Sequence, residues 1–269
     1  MPELPEVETI ARGLAIRVAG DVIESVWLGS KPEPLKSSAA EIEATLTSKK
    51  ILNVRRSGKH IVFDLESSAA DNPAQWIVHL GMTGRLLVCS PQTELAKHTH
   101  AVLRLASGRE LRFVDPRRFG RLAVIKVFSP AGMEPLQVSP ADFVALFRGR
   151  KTPIKSALLN QKLLSGIGNI YADEALHRAG VRPRRRASSL THHELMRLHK
   201  ELNRVLKEAI RLGGSSISDY VDSDGEEGFF QLKHRVYGRE GEPCRVCKTP
   251  IKRIVIAGRS SHYCPKCQK

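Results

Sequence analysis

The C-terminal pattern Cys244-x2-Cys247 followed by Cys264-x2-Cys267 constrains this chain more tightly than any other stretch. Tetrahedral Zn²⁺ takes four soft ligands, and two Cys-x-x-Cys turns joined by a short hairpin supply them. Two redox pairs or an incidental spacing are the competing readings. With cysteine at all four positions no coordination site is left open, so one structural Zn²⁺ is the expected cofactor. Between the pairs Ile254-Val255-Ile256 reads as a strand and Ala257-Gly258 as a turn, which places Arg259 at the hairpin tip. The fifth cysteine, Cys89, reads as an inert buried thiol.

The formal charge of +15 points to a polyanionic partner, and nucleic acid and an anionic membrane both satisfy it. No apolar run approaches the roughly 20 residues needed to span a bilayer, and the N-terminus lacks the basic-then-apolar order of a signal peptide. A cytoplasmic, nucleoid-associated protein with no membrane partner is therefore expected. Aromatic residues make up only 5%, thin for stacking many unpaired bases, so duplex DNA held through its phosphates is the more natural partner.

Along the chain, Val7, Ile10, Ala11, Leu14 and Val18 recur at helical spacing after Pro5, with Gly20 as a stop. From Val22 to Phe128 short runs rich in β-formers follow, with Ser107-Gly108 as a hairpin signal, and they suggest a β-sandwich. Residues 131–151 read as a linker. Thr152-Pro153 opens a helix through Leu158, Leu159 and Leu163. Ser165 to Asn169 is a tight turn, and a second helix runs from Ile170 to Gly180. Thr191 and Glu194 form a capping box for a long third helix closed by Gly213-Gly214. The expected fold class is α+β: an N-terminal helix and β-sandwich over 1–130, the linker 131–151, a helical domain with a polar loop over 152–228, and a zinc-finger hairpin over 229–269.

Several residues carry two readings. Met1-Pro2-Glu3-Leu4-Pro5-Glu6 is an ordinary helix start, with Pro and acids where the helix dipole favours them. It is also a nucleophile in waiting, because removal of Met1 would leave the secondary amine of Pro2 as the terminus. An α-amino group titrates near 7.7–8.0, so on the order of a tenth of it is uncharged at neutral pH. Condensed with an aldehyde, a secondary amine gives an iminium, a good electron sink. Met82 in His79-Leu80-Gly81-Met82-Thr83-Gly84, and Phe119 in Asp115-Pro116-Arg117-Arg118-Phe119-Gly120, read as core packing when taken alone. Lys59 reads as solvent-facing, and His98 with His100 as a metal pair lacking a carboxylate cluster. Gly166-Ile167-Gly168-Asn169 is a turn whose backbone N–H groups can approach an anion. Arg182 and Arg184-Arg185-Arg186 form a basic rim or a solvated run.

Pro-Glu-Leu-Pro-Glu-Val-Glu after Met1, the Gly166–Glu174 segment and the paired Cys-x-x-Cys resemble the formamidopyrimidine-DNA glycosylase family over nearly the whole chain. The resemblance implies a helix–two-turn–helix in the second domain. It also implies a monomeric base-excision repair enzyme that removes 8-oxoguanine and formamidopyrimidines from duplex DNA and then cuts the abasic site by β,δ-elimination. In that likeness Pro2 is the nucleophile, Glu3 and Glu6 assist it, and Lys59 and Arg259 serve phosphate binding and elimination. His98, Arg150, Lys155 and Asn169 contact DNA, as does the segment carrying His79 and Arg118. Met82, Phe119 and Arg117 fill the space of the extruded base and pair with its orphan. Residues 213–230 form the lesion-reading loop. Here Ser215-Ser216 and the acidic run Asp222 to Glu227 depart from the commonest family pattern, which leaves the base-reading atoms open.

Three rival readings remain at this stage. An oxidised-pyrimidine glycosylase of the same fold is the first, although that branch typically has Gly in place of Leu4. A non-catalytic zinc-ribbon DNA-binding module would ignore the N-terminus. A ribosome-associated protein rests only on helix–two-turn–helix segments occurring elsewhere.

Overall fold

In the computed structural model, which describes residues 1–67, 74–216 and 225–269, the chain opens with helix α1 (Leu4–Val18). The chain divides into two compact units: Met1–Ser129 with Gly213–Phe229, and Pro130–Leu212 with Phe230–Lys269.

In the first unit α1 buries Leu4, Val7, Ile10, Ala11, Leu14 and Val18, the stripe that its periodicity calls for. The strands are β1 (Ile23–Leu28), β2 (Ile51–Ser57), β3 (His60–Leu65), β4 (Gln75–His79), β5 (Arg85–Cys89), β6 (Thr99–Leu105), β7 (Glu110–Val114) and β8 (Arg121–Ile125). They form two antiparallel four-stranded sheets, ordered β1-β6-β7-β5 and β2-β3-β4-β8. One apolar core serves both sheets and α1, drawing Val7, Leu14, Phe63, Trp76, Leu103 and Phe113 into a single cluster. This is the expected sandwich. A short helix, α2 (Ala39–Leu46), stands where only strands were read; Ser38 caps it by accepting from Glu41 N, and Ile42 and Leu46 are its buried pair. Two large apolar positions among alanines and polar residues are too few for periodicity to register.

The second unit holds α3 (Pro140–Phe147), α4 (Ile154–Leu158), α5 (Asn169–Ala179), α6 (His192–Arg211), β9 (Lys252–Ile256) and β10 (Arg259–Tyr263). The presence of α3 corrects the linker expectation for 131–151. Ser139 caps it, Pro140 occupies its first turn, and Phe143 and Phe147 are fully buried one turn apart. The reading of turn residues alone missed that apolar pair. The capping box of Thr191 and Glu194 starts α6 as expected. Gly180, with φ of 70°, ends α5 in the left-handed conformation. Strands β9 and β10 pair across Ala257-Gly258, and both of those residues have positive φ, the twist a tight hairpin requires. Arg259 is exposed at the tip, as expected.

Lys155 is not the surface phosphate ligand that the resemblance implies. It is 1% exposed, and its Nζ lies 2.6 Å from Asp173 Oδ1 on α5 and donates to the Ser260 carbonyl at 2.6 Å. Asp173 also accepts from His262 N at 2.8 Å. An ion pair this dry locks α4, α5 and the zinc hairpin together. The basic rim is likewise put to structural use. Arg182 donates to the carbonyls of Pro265 and Gln268, Arg184 to that of Val255, and Arg185 pairs with Glu194.

Removing one partner of a buried pair leaves an uncompensated charge. The variant Lys155→Met is therefore expected to destabilise the second unit by about 3–5 kcal/mol in urea denaturation. Adding Asp173→Asn should recover part of the loss. A single variant within about 1 kcal/mol of the parent would remove the latch role.

Candidate active site

At the head of α1 Pro2, Glu3 and Glu6 are all buried, the two acids at 4% and 2% exposure. Glu6 turns back so that its Oε2 accepts from Glu3 N at 2.8 Å. Its other oxygen, Oε1, accepts from Ser215 N at 2.8 Å. The same carboxylate thus holds the entry of the helix and the start of the segment read as the lesion loop. Gly214 lies against it with φ of 82°, and a Cβ there would meet Glu6 Oε1 at 2.9 Å. Only glycine fits. Glu6, expected to orient water or the amine, is engaged with backbone at both oxygens. The loop residues 217–224, including Asp222, Ser223 and Asp224 of the acidic run, lie outside the described residues.

Lys59 sits in the two-residue turn between β2 and β3, after Gly58, rather than along a strand edge. It is largely buried and acts electrostatically on His79 across the β3–β4 pair. His79 stacks against His60 with ring centroids 4.9 Å apart, and its Nδ1 accepts from Gly81 N at 3.1 Å. Burial, then the charges of His60, Arg121 and Lys59, push the His79 imidazole down to about 4. Neutral His79 therefore anchors the turn that bears Met82.

That turn and the Asp115–Gly120 loop form one block. Thr83 Oγ1 donates to Asp115 Oδ1 at 2.6 Å, Arg117 N donates to the same oxygen at 3.2 Å, and Gly120 N donates to Oδ2 at 2.7 Å. Gly81, with φ of 63°, presses on the Phe119 backbone so closely that a Cβ would come within 2.5 Å. On this frame Met82 and Phe119 are exposed rather than in the core, and the Arg117 guanidinium lies 4.8 Å from the centre of the Phe119 ring. Two apolar tips beside a cation suit insertion into a base stack. Arg118, grouped with the DNA contacts, is ion-paired to Glu33 at 2.6 Å. His98 is exposed just before β6. His100 is buried and its Nε2 lies 3.0 Å from the Asp115 carbonyl, so the two do not form a metal pair.

In the second unit Asn169 begins α5 after the Gly166–Gly168 turn, and its Oδ1 is buried without a hydrogen-bond partner among the described residues. Arg150 is exposed after α3. The four zinc-segment sulfurs lie within 4.8 Å of one another, with Cys244–Cys267 at 3.9 Å and Cys247–Cys264 at 3.3 Å. Bonds of about 2.3 Å to a tetrahedral Zn²⁺ require sulfur spacings of just this order. The four cysteines hold one structural zinc. Cys89 is partly exposed rather than buried.

Thr83, Asp115 and Glu174 lie in motifs singled out in the sequence, without a role of their own there. Glu174 on α5 collects the N–H groups of Arg235, Val236 and Tyr237 at 2.9–3.0 Å. Asp before Pro marked Asp115 as a turn former, and that was its only local signal.

Residues 1–122 match the family model for the formamidopyrimidine-DNA glycosylase N-terminal domain, residues 132–221 the model for its H2TH domain, and residues 241–269 the zinc finger found in FPG and IleRS. A formamidopyrimidine-DNA glycosylase of Solibacter usitatus is 46% identical, covering 100% of both chains. The crystal structure of MutM (FPG) from Thermus thermophilus is 42% identical with a TM-score of 0.87, covering 99% of this chain and 98% of that one. A Lactococcus lactis FPG mutant in complex with Fapy-dG-containing DNA is 32% identical with a TM-score of 0.90, covering 100% of both chains.

A histidine held neutral by burial resists protonation when folded but accepts a proton near 6.5 when unfolded. Its contribution to stability is full above that pH and is lost as pH falls toward about 4. Thermal midpoints should decline over this window. His79→Asn, which can keep an acceptor for Gly81 N, should make the decline shallower, the remainder belonging to His60, His177 and His234, which burial also depresses; parallel curves would show that His79 does not contribute.

Proposed function

The chain belongs to the formamidopyrimidine-DNA glycosylase family, and we propose the following division of labour among its residues. The protein is a base-excision repair glycosylase and abasic-site lyase acting on duplex DNA, with oxidised purines as its substrates. What favours the N-terminus as its reacting group is the burial of Pro2, Glu3 and Glu6 at one helix start. The capping box of Glu3 and Glu6 accounts for their mutual hydrogen bonds, and their near-complete burial beside Pro2 is what an ordinary exposed helix start lacks.

With Met1 removed, the Pro2 nitrogen attacks C1′ of the damaged nucleotide and the C1′–base bond breaks, the base leaving with the proton that the attacking N–H gives up. Glu3 protonates the ring oxygen, the sugar opens, and an iminium forms between Pro2 and C1′. The positive charge acidifies the C2′ proton, and its loss expels the 3′ phosphate. A second proton loss, at C4′, drives out the 5′ phosphate, with Lys59 as the proton carrier and Arg259 as a ligand of the departing phosphate. Glu6 positions Glu3 by holding its backbone N–H. Zinc takes no part in these steps; its cysteines stiffen the hairpin that carries Arg259.

Arg117, Met82 and Phe119 occupy the gap left by the flipped nucleotide, on the frame of Asp115 and Thr83. His98, Arg150 and Asn169 hold phosphates. No helix among the described residues is long and apolar enough to cross a membrane. The compartment of such a repair enzyme is the cytoplasm, in association with the nucleoid.

Borohydride reduction in the presence of 8-oxoguanine duplex should trap a covalent complex through residue 2, provided Met1 is absent. Pro2→Gly should lower base release by about 10²-fold or more while its primary amine retains some lyase activity. Undiminished base release in that variant, or no adduct with the terminus shown to be Pro2, would defeat this assignment. Competition between 8-oxoguanine and thymine glycol duplexes separates the purine from the pyrimidine reading.

A further inference from the structure

A groove of about 440 Å³ in the first unit is lined by Trp27, Lys31, Lys97, His98 and Arg118, with Gly29 at its back. No carboxylate lines it. Glu33, the nearby acid, is already paired with Arg118 at 2.6 Å. Trp27 stands on β1, an edge strand, and is 49% exposed, whereas the other tryptophan, Trp76, is 1% exposed in the core. The indole shares the exposed face of β1 with Ser25, while the alternating Val26 and Leu28 pack against the core. A scattered exposed aromatic needs no explanation. An exposed indole in a concave groove lined by Lys31, Lys97 and His98, with Glu33 at its margin as the counter-charge of Arg118 and Lys31, is a different case, since it offers a stacking face together with phosphate ligands.

We propose that this groove binds one unpaired nucleotide of the DNA, its base stacked on Trp27 and its phosphate on Lys31 and Lys97. The volume lies in the range of small-ligand sites and admits a single nucleotide rather than a duplex. Stacking on an aromatic face tolerates any base, so the site reads strand opening and not sequence. Lys97 adjoins His98, so the groove continues the phosphate track assigned above. The inference rests on the DNA-repair reading for its choice of ligand. It adds a second place where a base leaves the stack, apart from the damaged one.

The probe is a short fluorescein-labelled oligothymidylate, read by anisotropy, together with the protein's own tryptophan emission. Binding should quench Trp27, and the buried Trp76 contributes a constant background. Trp27→Ala should weaken binding by about tenfold, while Trp27→Phe, which keeps a ring, should stay within about threefold. Lys31→Glu with Lys97→Glu should weaken binding and flatten its salt dependence. Absence of oligothymidylate binding overturns the proposal, as does binding with unchanged tryptophan emission and unchanged affinity in Trp27→Ala. Borohydride trapping of 8-oxoguanine duplex by the parent protein keeps the two readings apart. Trapping without a Trp27 response sinks the groove alone, whereas a Trp27 response without trapping sinks the glycosylase assignment and leaves the groove standing.

Discussion

Buried carboxylates that gather backbone N–H groups hold the functional loops of this protein in place. Glu6 takes Glu3 N and Ser215 N, Asp115 takes Arg117 N and Gly120 N, Asp173 takes His262 N, and Glu174 takes three N–H groups from Arg235 to Tyr237. A loop has no ladder to satisfy its donors, and a carboxylate offers about four acceptor positions at one point. Charge-assisted bonds of this kind are roughly twice as strong as neutral ones. The loop backbone becomes as fixed as a strand while the side chains remain free to project. Met82, Arg117 and Phe119 show the result, since they are exposed yet rest on a rigid base.

The same device links elements far apart in sequence. Glu6 and Ser215 are separated by most of the chain, yet their bond ties the start of α1 to the segment that follows α6. The Gly213–Phe229 segment accordingly groups with the N-terminal unit, although in sequence it follows α6. One carboxylate thus accepts from both Glu3 N and Ser215 N.

Features written in local spacing could be read from the sequence. The four cysteines, the Thr191–Glu194 capping box, the Ala257-Gly258 turn with Arg259 at its tip, and the stripe of α1 all depend on residues a few positions apart. What stayed hidden depends on partners distant in the chain. Lys155 looks like any basic residue beside a helix until Asp173 and the Ser260 carbonyl surround it. Arg182 and Arg185 look like a solvated rim until the C-terminal carbonyls and Glu194 claim them. For a basic residue in a strongly basic chain, local sequence offers only the choice between a DNA ligand and a solvated charge, and a buried partner far along the chain is invisible to it. Helix α3 was hidden for a different reason, since its Ser and Pro signal both a turn and a helix start, and only Phe143 and Phe147 decide between them.

Structural claims of this kind on cations bear on how the charge is used. The chain has 43 basic and 28 acidic residues, so its excess of cations must be kept where phosphate can reach it. A buried acid neutralised by a lysine or arginine withdraws one of those cations, as Asp173 does with Lys155. An acid satisfied by backbone N–H dipoles withdraws none. Asp115 and Glu174 are of that second kind, bound by main-chain donors and, for Asp115, the Thr83 hydroxyl. Arg117 illustrates the economy: its backbone N–H serves Asp115 while its guanidinium stays over Phe119, exposed and available to DNA. Rigidity and positive surface potential would compete if loops were held by side-chain ion pairs. Holding them through the main chain lets one basic protein have both.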